Sequence, residues 1–404
     1  MKKTIIYFGL MACAILVSCK KNPESEMKNA AGEIVKMPYL WHKDYHGVWN
    51  YSDDPKKTLV YNDAVITTIE EDENLYYTLI DAHSGEIQWQ HLYNFEISRS
   101  KMSLAYTYKN YLLIPQYSDI VLCDLTTGNV LSSLNMGLSM WCENMVGISH
   151  EVYMSDVYMR FRIKKLDILT RTQSEVVELS EIPNKDYISD SYHVLNHANK
   201  TYFAHVYSAQ DREDYDAGIT DVLNSEIFVR LYNCTDNVWE YTRKIDMGRA
   251  SQSSFFLDSI LICKNQNTGI SYGVHIVSGD VLWKDSTNCI GDELVAYNSY
   301  CVSSTDSYGV IAKDCNDGAV KWHLPDKYLN FLHENNGVLY GIHTEGYNKK
   351  LCAIDIVTGK VFWNIESPNG SPFTKITCVP DTDDNKAYIV AETENGMYCY
   401  SAFR

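Results

Sequence analysis

Beyond residue 40 the chain is a succession of short runs in which apolar residues alternate with polar ones or follow one another for four or five positions. Eight of these runs share a polar lead-in: NDAVITTI, NYLLIPQY, EVYMSDVY, KTYFAHVY, DSILICKN, SYCVSSTD, GVLYGIHT and KAYIVAET. Runs of this length, rich in Val, Ile and Tyr, predict β-strands. No stretch has convincing helical periodicity.

A second run follows each lead-in strand and ends in a recurring phrase, fullest in LCAIDIVTGKVFW (351–363). Close copies are LIDAHSGEIQW, GVHIVSGDVLW and IAKDCNDGAVKW, and in each Gly stands four residues before Trp. The pairs are Gly85 and Trp89, Gly279 and Trp283, Gly318 and Trp322, and Gly359 and Trp363. VLCDLTTGNVL keeps Asp124 and Gly128 but has Ser132 where Trp is expected, and KLDILTRTQSE keeps only Asp167 and Thr170. LYNCTDNVW, ending at Trp239, is one residue short. Asp81, Asp124, Asp167, Asn233, His275, Asp314 and Asp355 mark seven copies, at intervals of 43, 43, 66, 42, 39 and 41 residues. A period near 40 means one supersecondary unit per repeat.

The phrase predicts a hairpin. Asp or Asn can bond its side chain into the turn, and Gly can take positive φ where the chain reverses. The strand after it carries a large ring suited to burial against the neighbouring unit. With eight lead-in strands and seven turn phrases, the last repeat lacks its outer strand, and GMYCYSAF leads directly to Arg404. An N-terminal segment can supply the missing strand, and HGVWNY around Trp49 is a candidate. The expected fold is an all-β, eight-bladed β-propeller of four-stranded antiparallel blades, closed by an N-terminal strand, with seven blades as the alternative.

The phrase A-x-D-x-x-T-G-K-x-x-W resembles the repeat of the PQQ-type propellers over roughly residues 45–403. That superfamily holds quinoprotein dehydrogenases and the non-enzymatic BamB-type lipoproteins of the outer-membrane barrel-assembly machinery. The resemblance implies the fold; one fold hosts many functions. The enzymes of the superfamily carry a quinone, a calcium ion and commonly adjacent cysteines. This chain has no adjacent cysteine pair and is shorter, so no cofactor is expected.

Ahead of the repeats, Met1-Lys2-Lys3 is followed by an apolar run, Thr4–Ser18, and by Leu16-Val17-Ser18-Cys19, which looks like a bacterial lipobox. The expected organisation is a lipoprotein signal peptide over 1–18, a flexible tether over 19–39 and one propeller domain over 40–404. By the resemblance Cys19 becomes the lipidated first residue. Lys20 after it fits retention at the outer membrane, with membrane attachment through the lipid alone.

Net charge of −17 argues against nucleic acid, which needs a basic groove. Ten cysteines lie beyond Cys19 without a disulfide framework or a C-x-x-C; Cys123, Cys263, Cys301, Cys352 and Cys399 fall within strand runs, where Cys behaves as a small buried hydrophobe. The long interval between Asp167 and Asn233 has its excess in residues 180–226, with His193, His197, His205 and the acidic run around Asp214, Asp216 and Gly218. The histidines sit in strand and turn rather than on one helix face, and the acidic run lacks the remaining ligands of a calcium loop, so no metal is expected. Pro380-Asp381-Thr382-Asp383-Asp384-Asn385 reads as a further acidic turn. No nucleophile elbow, P-loop, H-E-x-x-H or dinucleotide fingerprint occurs.

Two functions remain in view. The first is a lipid-anchored, non-enzymatic scaffold for outer-membrane or periplasmic proteins, barrel-assembly components among them. The second is a glycan-binding or glycan-processing propeller, with Tyr202, Tyr207 and Tyr215 of the insertion as stacking platforms. A quinone-dependent oxidoreductase stands third. Cys19→Ala is expected to abolish incorporation of labelled fatty acid and to move the protein out of the membrane fraction. Retention there with the label still attached would refute the lipobox assignment.

Overall fold

The computed structural model describes residues 27–47, 59–71, 74–92, 105–116, 119–135, 142–156, 162–178, 185–211, 225–251, 254–257, 259–287, 290–291, 293–380 and 387–402. They form eight antiparallel sheets and a small N-terminal hairpin, with no helix among the described residues. The sheets follow one another as blades: 1 (46–92), 2 (106–135), 3 (142–178), 4 (185–247), 5 (255–285), 6 (294–324), 7 (329–365) and 8 (373–402). Within a blade the strands run in chain order, a to d, each paired with the next. The eight lead-in runs are the b strands. In blade 1 the free edge of strand b is shared by two short pieces, His46–Gly47 and Leu59–Tyr61.

Successive residues of a strand point to opposite sheet faces, and in the middle strands both faces are buried. In blade 2, Leu112, Ile114, Val121 and Cys123 pack toward blade 1, while Leu113, Ile120 and Leu122 pack toward Val152, Met154 and Leu166 of blade 3. That is why these strands read as nearly continuous apolar runs. Each fully buried aliphatic side chain contributes about 1.5–3 kcal/mol.

The turn phrase joins strands c and d. Asp81 Oδ1 accepts the backbone N–H groups of His83 (3.0 Å) and Ser84 (2.8 Å), and Asp355 does the same for Val357 and Thr358. Gly85 and Gly359 then take positive φ and donate their N–H back to the Asp carbonyl. In blades 3 and 4 Arg171 and Asn237 hold the left-handed position instead of Gly.

The residue after the marker links blades. Ala82, Leu125, Ile276, Cys315 and Ile356 each donate an N–H to the a–b turn of their own blade. Their carbonyls accept a ring donor from the blade before. Trp41, Trp89, Trp283 and Trp322 give indole N–H bonds of 2.6–2.8 Å to Ala82, Leu125, Cys315 and Ile356, and the Tyr241 hydroxyl bonds Ile276. The rings lie on the turn glycines: a Cβ at Gly85 would stand 2.6 Å from Trp41, and one at Gly318 would stand 2.9 Å from Trp283.

Two sequence expectations shift. In blade 4 the docking position belongs to Tyr241, paired with Leu231, and Trp239 sits one step earlier opposite Tyr232, because a bulge separates them. The closing strand is Trp41–Lys43, paired with Cys399, Tyr398 and Met397, rather than HGVWNY, whose His46 and Gly47 pair with strand b of blade 1 and whose Trp49 lies outside the described residues. Part of the expected tether also has structure. Met27–Lys28 and Ile34–Lys36 form a hairpin, and Glu366 after the outer strand of blade 7 donates its N–H to Val35. Met37 is buried in the cluster that holds Trp363. Cys123, Cys263, Cys301, Cys352 and Cys399 are buried thiols, and burial pushes the pKa of Cys263 and Cys352 up to about 12.

Trp283→Ala is expected to lower the unfolding free energy by about 3–5 kcal/mol. Trp283→Phe, which keeps a ring but leaves the Cys315 carbonyl without its donor, should cost about 1–2 kcal/mol. Denaturant titration checks both; no loss in either variant would show that the indole bond does not hold the junction.

Candidate functional site

Strands alternate in direction, so the a–b and c–d turns share one face of the ring, while the b–c turns and the connections between blades share the other. The first face holds the repeat. Asp81, Gly85, Trp89, Asp124, Gly128, Gly279, Trp283, Asp314, Gly318, Trp322, Asp355 and Gly359 all lie in c–d turns or docking positions there. Trp363, on the equivalent position of blade 7, is 3 % exposed. The carboxylates are consumed locally: the backbone N–H of Thr170 beside Asp167, and that of Asn316 with Lys321 beside Asp314, hold both acids below the usual carboxylate range.

The aromatic candidates of the insertion do not form a platform. Part of the excess length forms a long hairpin, Lys185–His197 and Lys200–Asp211, in strands a and b of blade 4. Tyr202 lies in the core between blades 4 and 5, at 7 % exposure. Tyr207 is fully buried, stacked between His205 (4.7 Å) and Phe228 (5.3 Å), with the Arg230 guanidinium 4.8 Å from its ring. Blade 5 covers Tyr202, and His205, Phe228 and Arg230 enclose Tyr207, so neither ring offers a face to a ligand. Tyr215, Asp214, Asp216, Gly218 and residues 381–385 lie outside the described residues. The three histidines separate: His193 Nε2 lies 2.6 Å from Ser254 Oγ, His205 Nδ1 accepts from Arg230 Nε at 3.0 Å, and His197 ends its strand.

A polar cavity of about 450 Å³ opens on the second face between blades 5, 6 and 7. Its walls are pinned by side chains of strand b in blade 6. Ser303 Oγ accepts the Gly291 N–H (2.6 Å) and donates to the Glu293 carbonyl (3.0 Å), which fixes the connection from blade 5. A Cβ at Gly291 would stand 2.4 Å from the Ser304 carbonyl, so only glycine lets the two backbones approach this closely. Ser304 Oγ accepts the Leu329 N–H (2.8 Å), which fixes the connection to blade 7. Glu293 Oε2 accepts the Leu332 N–H (2.9 Å), and Lys264 Nζ donates to the Ile290 carbonyl (2.8 Å).

Asp306 and Ser307 at the b–c turn of blade 6 complete the wall and make no hydrogen bond or ion pair among the described residues. Asn330 also lines it, donating to Thr344 Oγ1 at 3.3 Å. Sequence reasoning missed this site because its residues sit in connections, where the repeat imposes nothing. One signal was present: SYCVSSTD carries two consecutive serines, and both Ser303 and Ser304 are buried.

No protein-family model matches the chain, and no curated protein sequence matches it. Solved structures do. The computationally designed protein Ika8 matches at TM-score 0.61 and 13 % identity over 90 % of this chain and 98 % of its own. BamB from Moraxella catarrhalis matches at 0.52 and 12 % over 89 % and 100 %. The dihydro-heme d1 dehydrogenase NirN, in complex with DHE, matches at 0.58 and 12 % over 97 % and 81 %. At these identities the likeness is one of fold. The chain is an eight-bladed β-propeller that shares its architecture with BamB and NirN.

On strand a of blade 7, His333 donates from Nε2 to the Ile376 carbonyl of blade 8 at 3.1 Å. Burial above all, with the charge of Lys375 adding, lowers its pKa to about 4. The folded imidazole therefore refuses a proton that the unfolded chain accepts near pH 6.5. Its contribution to stability is complete above that pH and is lost as pH falls toward 4, by at most about 3 kcal/mol, since the ring keeps an accessible edge. Denaturant midpoints at pH 7 and pH 4.5 are expected to differ less in His333→Gln than in the parent; equal differences would refute the assignment.

Proposed function

We propose that this chain is a lipid-anchored, non-enzymatic propeller of the outer membrane that binds a protein partner on the face of b–c turns, in the manner of the BamB-type lipoproteins. The repeat supports this reading, since its polar groups are spent on holding the ring. The lipobox at Cys19 supplies the anchor. The observation that carries the partner face is Tyr347. It stands at the b–c turn of blade 7, beside Gly346 with φ +61°, and is 99 % exposed. Tyr is enriched at protein interfaces because it offers a large, stiff contact with a polar tip. A chain of net charge −17 favours a partner surface that is basic. Outer-membrane and periplasmic proteins are the candidates, and barrel-assembly components come first by the resemblance of the repeat.

A photo-cross-linking residue placed at Tyr347 in intact cells is expected to give a discrete adduct with one such protein. The same residue at exposed Val130, on an outer strand, should not. Tyr347→Ala should weaken the association at least tenfold with an unchanged thermal midpoint. The same products from both positions, or none from Tyr347, would count against this face.

A further inference from the structure

We propose that the cavity between blades 5, 6 and 7 is a binding site for an uncharged saccharide, with Asp306, Ser307 and Asn330 as its recognition groups. This goes beyond the scaffold reading and uses different residues from Tyr347. At about 450 Å³ the cavity lies within the range of small-molecule sites.

Its chemistry selects the ligand. The wall holds hydroxyls, an amide and carboxylates, a set that accepts from and donates to many O–H groups at once. The Asp306 carboxylate has two oxygens that can each accept a hydrogen bond, which suits the paired O–H groups of a vicinal diol. Asn330 donates one N–H to Thr344, leaving its amide oxygen as a further acceptor. Tyr328 lines the same wall and gives the cavity an aromatic component.

Charged ligands fit less well. An anion would meet Asp306 and Glu293 on a protein of net charge −17. A cation would meet the Lys264 ammonium, and one Glu293 oxygen already accepts the Leu332 N–H. A neutral polyol avoids both penalties.

The frame is also fixed in advance. Ser303, Ser304, Glu293 and Lys264 bond backbone groups of the two connections and of strand a in blade 7, so the walls need little further ordering when a ligand arrives. Buried Ser303 and Ser304 hold the walls, and exposed Asp306 and Ser307 are left for recognition.

The test is calorimetry and saturation-transfer NMR on the purified full chain with maltotriose, cellobiose, xylobiose, mannobiose and chitobiose, beside inorganic phosphate and spermidine. At least one saccharide is expected to bind. Asp306→Ala should weaken it at least tenfold and Asp306→Asn by less, with thermal midpoints unchanged because Asp306 is exposed. Binding of none of the five, binding unaltered in Asp306→Ala, or binding of phosphate or spermidine in their place would overturn the proposal.

Discussion

Four blade junctions among the described residues share one bond, from an indole N–H of one blade to the carbonyl of the residue after the turn marker in the next, and the Tyr241 hydroxyl makes it at a fifth. The residue after the marker is buried and already committed through its own N–H to the a–b turn of its blade. It therefore joins two turns of one blade and the outer strand of another. Leaving such a carbonyl unsatisfied costs about 1–3 kcal/mol. A four-stranded blade cannot bury its own faces, so this contact and the apolar clusters beside it form together. Ser132 replaces the tryptophan on the outer strand of blade 2, and at the inner edge of that junction the Tyr106 hydroxyl bonds the Ser149 carbonyl of blade 3 at 3.0 Å.

Closure uses the same bond. Trp41 belongs to the strand that completes blade 8, and its indole reaches Ala82 of blade 1 at 2.8 Å. Cys399 Sγ lies 3.3 Å from that same carbonyl, so strands c and d of the last blade both converge on it. A three-residue strand suffices because Trp41 adds a docked ring to its ladder bonds. The N-terminal hairpin beside blade 7 and Met37 in the neighbouring core extend the hold beyond those three residues.

The repeat was legible because it is local: marker, glycine and tryptophan lie within nine residues of one another, and seven copies set the period and the blade count. What failed was register. Tyr241 could not be told from Trp239 without knowing that a bulge skips Glu240. Trp41 could not be told from Trp49 because the closing strand follows no turn phrase, so the spacing that marks the other tryptophans is absent. The cavity between blades 5, 6 and 7 was less legible still. Tyr202 and Tyr207 looked like surface rings in a polar insertion, yet the next blade and the side chains of His205, Phe228 and Arg230 bury them, whereas Asp306, Ser307 and Asn330 belong to no repeated pattern.

The two faces of the ring differ in what they have left to offer. On the turn-phrase face, each marker side chain bonds backbone N–H groups of its own turn, and the carbonyls of Ala82, Leu125, Cys315 and Ile356 hold indoles while that of Ile276 holds the Tyr241 hydroxyl. A ligand there would compete with bonds that keep the ring together. On the opposite face the connections need only to link one blade to the next, so their side chains can change without loss of the ring. The acidity that a partner or ligand meets is therefore not that of Asp81 or Asp355. It is that of Asp306, Glu293 and exposed Glu345, on the face that also carries Tyr347. Under the reading proposed above, recognition concentrates on that face, whose side chains the repeated turn does not use.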